Sequence, residues 1–200
     1  MPRIAVFVSG GGTNLQAIID AVEAGRVRNT EIVAVVSNRK NAYALERARI
    51  HHIEAKCIRR KDYMSEDDFC DAMISYLEEL KVELVVLAGY LVILNERFIR
   101  RFRNRIINVH PSLIPSFAGD GFYGLKVHEE ALKRGVKISG ATVHVVDEIT
   151  DHGPILYQKA VDVRENDTAE MLQRRIMEEA EWVLLPKAID EFHTWFPKLK

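Results

Sequence analysis

The sequence is short of several features that point to particular protein classes. Its 200 residues include only two cysteines, Cys57 and Cys70, and neither has a second cysteine at metal-binding or redox spacing. We therefore expect two reduced thiols and no metal site. Lys and Arg number 28 against 29 Asp and Glu, and the resulting net charge of -1 provides no global field for nucleic acid or an anionic membrane.

A long apolar segment is also missing. The longest apolar run, Val82 to Leu94, contains Glu83 and Gly89 and is too short to span a bilayer. The N-terminus passes directly into a short strand pattern without the apolar stretch of a signal peptide. We therefore expect a cytoplasmic protein without a nucleic-acid or membrane partner. We also expect small-molecule substrates and a monomer or homodimer.

The chain alternates β-rich runs with helical patterns through its first half, which is typical of a parallel sheet with crossover helices. We predict a single-domain α/β fold of the Rossmann-like, doubly wound type, with a mostly parallel sheet and antiparallel strands in the C-terminal part. The predicted strands are 4–8, 31–36, 54–58, 84–87, 106–109, 142–146 and 155–161. The predicted helices follow residue 14, cover 43–50, surround 69–80 and 127–133, and follow residue 167.

No repeat, low-complexity segment or linker divides the chain, so we expect one domain over residues 1–200. Within this domain we distinguish two halves, residues 1–105 and residues 106–200. Thr13 and Asn14 are suitable N-terminal caps, and residues 167–170 resemble a capping box. Pro186 is expected to kink or divide the last helix.

Residues 9–14, Ser-Gly-Gly-Gly-Thr-Asn, lie between the first strand and the first helix; we call them the glycine loop. Backbone amides and the positive end of a helix dipole favour an anion at such a position. A dinucleotide fingerprint and a Walker A loop are both ruled out, because Leu15 and Asn38 occupy fingerprint positions and no Gly-Lys-Ser/Thr follows. Two interpretations remain: a cradle for one phosphate group, or a tight turn with nothing bound.

Asn108 and His110 close the fifth predicted strand, and the two-residue period of a strand places them on one face. That strand end belongs to the carboxyl edge, where open α/β sheets bind ligands. The alternative is a surface histidine before a turn. Asp151 lies in the turn Thr150-Asp151-His152-Gly153-Pro154 and by sequence alone could be only a turn former. Its approach to His110 does not follow from the spacing.

Several segments, taken together, resemble the folate-dependent phosphoribosylglycinamide (glycinamide ribonucleotide) formyltransferases of purine synthesis. The segments are residues 9–19, Leu-Ala-Gly-Tyr at 87–90, Ile-Asn-Val-His-Pro-Ser-Leu-Ile-Pro at 107–115, residues 142–148, and Asp-His-Gly-Pro-Ile at 151–155. They run in order through nearly the whole chain. The resemblance implies 10-formyltetrahydrofolate as the formyl donor and co-substrate, 5'-phosphoribosylglycinamide as the acceptor, and no metal.

The resemblance also implies roles for the two halves and for individual residues. Residues 1–105 would form a phosphate-binding half, and residues 106–200 a folate-binding and catalytic half. Asn108, His110 and Asp151 match the catalytic trio, with Asn108 and a protonated His110 stabilising an oxyanion and Asp151 raising the pKa of His110. The acceptor's phosphate and ribose would be held by Gly12, Thr13, Asn14 and Glu181. The folate would contact Leu91, Val92, Ile93, Leu94, Asn108, Asp147, Glu148, Ile149, Thr150 and Asp151.

Two features depart from the family pattern. Related enzymes often carry arginines where Val92 and Glu66 stand here, and those arginines meet the glutamate tail of the folate. Such rim charges affect tail binding more than chemistry. The loop at residues 117–124 is also longer than in many relatives, and we expect it to reshape the mouth of the site.

Three other functions compete with this one. Formyltetrahydrofolate hydrolases resemble the catalytic region but carry an extra N-terminal domain and usually a second histidine where Pro111 stands. Methionyl-tRNA formyltransferases share the Asn-x-His-Pro-Ser-Leu motif but add a C-terminal RNA-binding domain. A non-catalytic phosphate-ligand binding module would keep the glycine loop and have no need of Asn108, His110 and Asp151 together.

Overall fold

The computed structural model describes residues 1–199, and the chain divides into two compact units between Ile107 and Asn108. The first unit contains β1 (Arg3–Val8), α1 (Thr13–Glu23), β2 (Glu31–Ser37), α2 (Tyr43–Ile50), β3 (Ala55–Cys57), α3 (Glu66–Glu79), β4 (Leu84–Leu87) and α4 (Glu96–Arg101). β5 (Ile106–His110) begins in the first unit and ends in the second. The second unit continues with α5 (Leu125–Arg134), β6 (Ile138–Val145), β7 (Ile155–Asp162), α6 (Ala169–Ile176), α7 (Trp182–Asp190) and α8 (Phe192–Trp195).

The strands of the first unit form a parallel sheet in the order β3-β2-β1-β4. β1 and β4 are apolar and almost entirely buried, as expected for parallel strands covered on both faces. The chain moves outward from β1 to β3 and then returns to the other side of β1. This reversal creates a topological switch point between β1 and β4, the usual ligand-binding position in such sheets.

In the second unit, β6 and β7 pair in antiparallel fashion, from Ile138 opposite Asp162 to His144 opposite Ile155. The register shifts between Val143 and His144 because β7 has one extra residue, Leu156, between their two partners. The predicted α/β class, with a mostly parallel sheet and antiparallel strands in the C-terminal part, is therefore confirmed. The single domain over residues 1–200 stays a prediction.

Three local predictions were wrong. α1 begins at Thr13 and its N-cap is Gly12, so neither Thr13 nor Asn14 is the cap. At α6, Thr168 caps the helix alone, because the position that a capping box gives to Glu or Gln is Met171. The final helical region is divided by a π-helical turn at Met177–Glu181, and Pro186 lies inside α7. The division therefore precedes Pro186, whose ring lies after the first turn of α7.

The sequence patterns also missed two short helices. α4 has only six residues and is capped by the Asn95 side chain, which accepts a hydrogen bond from the Phe98 amide. α8 follows α7 with Glu191 between them, so the two read as one amphipathic pattern. Among the described residues, no helix is long and apolar enough to cross a membrane.

Candidate active site

The end of β5 carries two polar side chains among apolar neighbours. Asn108 is half-buried, and His110 is only 4% exposed. Together with His144 on β6 and Asp151 in the turn before β7, they form a connected group that we call the histidine cluster. All four residues belong to the second unit. The packing within this unit brings Asp151 close to His110, which the sequence alone could not show.

His110 has an oxygen atom facing each ring nitrogen. Its Nε2 donates a hydrogen bond to the Phe117 carbonyl at 2.8 Å, and its Nδ1 lies 3.4 Å from Asp151 Oδ2. Burial is the strongest influence on the pKa of His110 and lowers it, whereas Asp151 and the bond to Phe117 raise it. Asp151 therefore raises the pKa of His110 as expected, but the desolvation penalty exceeds the attraction of the carboxylate, and the net effect in the free protein lowers the pKa.

Asp151 is held by the local backbone as well as by charge. Its φ of 55° is left-handed, a conformation that Asp tolerates better than most residues. Its Oδ2 accepts the Gly119 amide at 3.0 Å. Burial raises the pKa of Asp151, but the contacts with His144, His110 and Gly119 outweigh burial and lower it. Asp151 is therefore both a turn former and an ionised neighbour of two histidines.

His144 connects the other members of the cluster. Its Nε2 lies 3.2 Å from Asn108 Nδ2 and 3.5 Å from Asp151 Oδ1, and the ring is 2% exposed. The sequence patterns did not identify His144 as a site residue. A detectable signal was its alternation with Thr142, because Thr142 and His144 share one face of β6 in the same way as Asn108 and His110 share one face of β5.

The loop after β5 is anchored by one hydroxyl group. Thr142 donates to the Ser112 carbonyl at 2.6 Å and accepts from the Ile114 amide at 3.1 Å and from the Gln158 side chain at 3.0 Å. One donor and two acceptor positions satisfy a hydroxyl completely. Thr142 thereby fixes the path of the loop that brings the Phe117 carbonyl to His110.

A second buried histidine lies on α5. His128 has no measurable exposure, and neither ring nitrogen has a hydrogen-bond partner among residues 1–199. Burial, assisted by the charge of His110, lowers the pKa of His128 to about 4. This imidazole is neutral at physiological pH.

The glycine loop lies in the first unit at the end of β1. The Gly10 carbonyl accepts the Ala44 amide at 3.1 Å, and the Gly11 carbonyl accepts Arg47 Nε at 2.8 Å. In a trans peptide the N–H points opposite to the C=O, so the amides of Gly11 and Gly12 point away from α2. They lie beside the start of α1, where they are suitably directed for an anion.

The three glycines differ in the space around them. A Cβ on Gly10 or Gly11 would have nothing within 4 Å, and both residues are exposed. A Cβ on Gly12 would lie 2.6 Å from the Ala44 Cβ, and the φ of Gly12 is +74°. Gly12 is therefore required by the packing of α1 on α2, and the open space of the loop lies over Gly10 and Gly11.

Ser9 joins the strand ends around the switch point. Its hydroxyl donates to Asn38 Oδ1 at 2.7 Å and accepts the Leu91 amide at 2.9 Å. Asn38 stands where a dinucleotide-binding protein carries an acidic residue, and here it serves this internal bond. Ser9 thus links the glycine loop to the segment after β4.

The predicted folate residues fall into two groups, one in each unit. In the first unit, Leu91 and Ile93 are exposed, Val92 is half-buried and Leu94 is buried. In the second unit, Asp147 accepts the Ile149 amide at 3.0 Å and faces His152, while Glu148, Ile149 and Thr150 are exposed.

The remaining predicted residues are distributed along both units. Thr13 is exposed and Asn14 half-buried in the first turn of α1, and Glu66 is exposed in the first turn of α3. Glu181 is buried on the π-helical turn of the second unit. Residues 1–199 contain no group of three or more side chains that could hold a metal ion, and the absence of a metal stays a prediction.

The formyl transferase family model matches residues 2–189. The phosphoribosylglycinamide formyltransferase of Haemophilus influenzae is 40% identical over 192 residues, which cover 96% of this chain and 87% of the relative. The trifunctional purine biosynthetic protein adenosine-3 of Gallus gallus is 40% identical over 187 residues. This match covers 94% of the chain but 18% of that protein, so the chain corresponds to one part of it.

Solved structures agree with these sequence matches. Glycinamide ribonucleotide transformylase 1 from Symbiobacterium toebii superposes with a TM-score of 0.90 at 43% identity, covering 97% of this chain and 88% of the other. Phosphoribosylglycinamide formyltransferase from Brucella melitensis gives a TM-score of 0.86 at 42% identity, covering 96% and 95%. The fold and the sequence therefore point to the same set of relatives.

Proposed function

The chain belongs to the formyl transferase family, and from this premise we propose that it moves a formyl group from 10-formyltetrahydrofolate to the amine of 5'-phosphoribosylglycinamide in cytoplasmic purine synthesis. The observation that carries the proposal is the histidine cluster. In this cluster Asp151 Oδ2 lies 3.4 Å from His110 Nδ1, and Asn108 Nδ2 lies 3.2 Å from His144 Nε2. Relatives named for this acceptor share about 40% of their residues with the chain over nearly its whole length.

The reaction needs donors for an oxyanion and a path for one proton. The neutral amine attacks the formyl carbon, which forms a C–N bond and places negative charge on the formyl oxygen. The bond from the formyl carbon to N10 of the folate then breaks, and the proton lost by the amine is balanced by protonation of N10. Asn108 and His110 would donate hydrogen bonds to the oxyanion, which is worth most in a water-excluded site.

His110 has to change partners to play this role. In the free protein its Nε2–H is donated to the Phe117 carbonyl, and burial lowers its pKa. An oxyanion beside the ring would favour the charged form, in the same direction as the Asp151 carboxylate. We therefore propose that the formyl oxygen replaces the Phe117 carbonyl, and that His110 becomes protonated as negative charge develops.

The two substrates would be held by different kinds of group. The exposed apolar side chains of Leu91 and Ile93 fit a flat pterin ring, with Val92, Leu94 and residues 147–151 as further contacts. The amides near Gly11 and Gly12, together with Thr13 and Asn14, would bind the acceptor's phosphate, and Glu181 would bind the ribose.

A direct assay tests the function. The protein is incubated with 10-formyltetrahydrofolate and either phosphoribosylglycinamide or buffer, while loss of the donor and release of formate are followed. We expect loss of the donor only when the amine is present, and no formate. Formate release without the amine would instead identify a hydrolase. Binding of the acceptor without loss of the donor would identify a non-catalytic binding module.

A further inference from the structure

The ring of His144 has a defined tautomer because of its position on β6. Its Nδ1 lies 3.1 Å from the Val145 carbonyl oxygen. A carbonyl oxygen only accepts hydrogen bonds, so Nδ1 carries a proton. In the neutral imidazole the other nitrogen, Nε2, is then a bare acceptor.

Two groups compete for that acceptor. Asn108 Nδ2 lies at 3.2 Å and can donate, whereas Asp151 Oδ1 lies at 3.5 Å and, when ionised, can only accept. A distance of 3.5 Å is long for a hydrogen bond. The shorter distance favours the Asn108 amide over the carboxylate as the partner of Nε2. The alternative is a protonated Nε2 that donates to Asp151, which would also lower the pKa of that carboxylate.

We infer that His144 is a positioning residue that orients the Asn108 amide in the reaction proposed above, and the inference rests on that proposed function. The amide has two N–H groups: one is donated to His144, and the second is left for the formyl oxygen. Without an acceptor at His144, the amide could rotate by half a turn and present its own oxygen to the developing oxyanion. That orientation would repel the transition state.

The local backbone explains why His144 reaches this position. Val143 pairs with Tyr157 and His144 with Ile155, so the extra residue at the register shift is Leu156 on β7, and β6 keeps its regular alternation through His144. A Cβ on Gly153 would lie 1.9 Å from the Val145 oxygen, so only glycine allows the turn that carries Asp151 to approach this carbonyl. The carbonyl that fixes the tautomer therefore lies against the turn that carries the catalytic carboxylate.

Two amide substitutions separate the functions of the two ring nitrogens. His144→Gln places an amide oxygen near the former Nε2, where it can still accept from Asn108. His144→Asn places an amide N–H near the former Nδ1, so it keeps the bond to Val145 but offers nothing to Asn108. The two variants are alike in polarity and charge, and each serves as the control for the other.

Steady-state kinetics with both substrates gives the first test. We expect His144→Gln to keep kcat within about threefold, and His144→Asn to lose roughly tenfold to a hundredfold, which is part of the loss known for removing a whole oxyanion donor. The KM for the phosphorylated acceptor should change little in either variant. Equal losses of kcat in the two folded variants would overturn the role of His144 while leaving the proposed function intact. A wild-type protein without formyl transfer would overturn both.

The tautomer itself can be measured without any activity. In a 15N NMR spectrum of the wild-type protein, we expect His144 to show a protonated Nδ1 and an unprotonated Nε2. A proton on Nε2 would make His144 a donor to Asp151 and would overturn the proposal even if both variants failed to fold.

Discussion

The glycine loop and the histidine cluster both lie at strand ends, but the glycine loop presents main-chain groups and the histidine cluster consists of buried side chains. In the glycine loop, the Gly10 and Gly11 carbonyls are bound by α2 and the open space lies over exposed backbone. In the histidine cluster, the ring nitrogens of His110 and His144 all face protein atoms, and both rings are nearly inaccessible to solvent. One region presents main-chain donors, and the other holds side chains whose protonation depends on burial.

This difference matches the two tasks of a group-transfer enzyme. A phosphate keeps its charge throughout the reaction, so fixed backbone amides are sufficient to bind it. The formyl oxygen gains charge during the reaction, and the groups that respond to it must be preorganised and able to change protonation. Substitutions in the glycine loop should therefore alter acceptor binding, whereas substitutions in the histidine cluster should alter turnover.

The largest effect is expected in the histidine cluster. His110→Ala should reduce kcat roughly a hundredfold to a thousandfold, the usual cost of losing an oxyanion donor, while the KM for the acceptor changes little. Asp151→Asn should also reduce kcat with little loss of stability, because Asn tolerates the same left-handed backbone. Circular dichroism would confirm that both variants fold.

The double variant tests whether these two residues act together. If Asp151 works through His110, the double variant should be scarcely slower than the slower single variant. Fully multiplicative losses would show that Asp151 only shapes a turn.

A smaller effect should separate neighbouring glycines. Gly12→Val should lower the free energy of unfolding by about 3 kcal/mol, because it combines a clash with Ala44 and a left-handed φ. Gly11→Val adds the same side chain in open space, so it should stay folded and raise the KM for the acceptor. Denaturant unfolding and two-substrate kinetics measure both. Equal destabilisation by the two variants would mean that the loop is only a tight turn.

A further effect, confined to low pH, concerns stability in acid. The pKa of His128 falls from 6.5 to about 4 on folding, so the unfolded chain binds more protons between these values. Stability contributed by neutral His128 is present above about pH 6.5 and is lost as the pH falls towards 4, by about 3 kcal/mol.

Matched unfolding curves can isolate this contribution. His128→Leu removes the titrating group and leaves no buried polar atom. Its unfolding free energy should therefore fall less between pH 7 and pH 4.5 than that of the wild type. Parallel losses in the two proteins would assign the acid sensitivity to other groups.

How much could be foreseen from the sequence depended on the range of the interactions involved. The strand end carrying Asn108 and His110 followed from local pattern, and so did the glycine turn before α1. The approach of Asp151 could not, because it requires Gly153 to fit against Val145 and Gly119 to bind the carboxylate. The lowered pKa of His110 was missed for a similar reason, since burial is decided by the packing of distant segments.

The roles of two further residues were not foreseen because their local sequence patterns are ambiguous. His144 lies on an apolar, alternating strand, where a histidine resembles an ordinary core residue. The predicted role of Gly12 in phosphate binding stays a prediction, but the sequence did not show that its missing side chain makes room for Ala44, which is 32 positions away and is brought close only by the packing of α2. A glycine run alone does not show whether the missing side chains allow a ligand to approach the backbone or allow a neighbouring helix to pack closely.

The separate roles of the glycine loop in acceptor binding and of the histidine cluster in turnover can be tested most directly by removing the phosphate from the acceptor. Rates of formyl transfer to phosphoribosylglycinamide and to its phosphate-free analogue are compared for the wild type, Gly11→Val and His110→Ala. We predict that Gly11→Val loses kcat/KM only with the phosphorylated acceptor, whereas His110→Ala is slowed with both. A Gly11→Val loss that persists in full on the phosphate-free acceptor would contradict the assignment of the glycine loop.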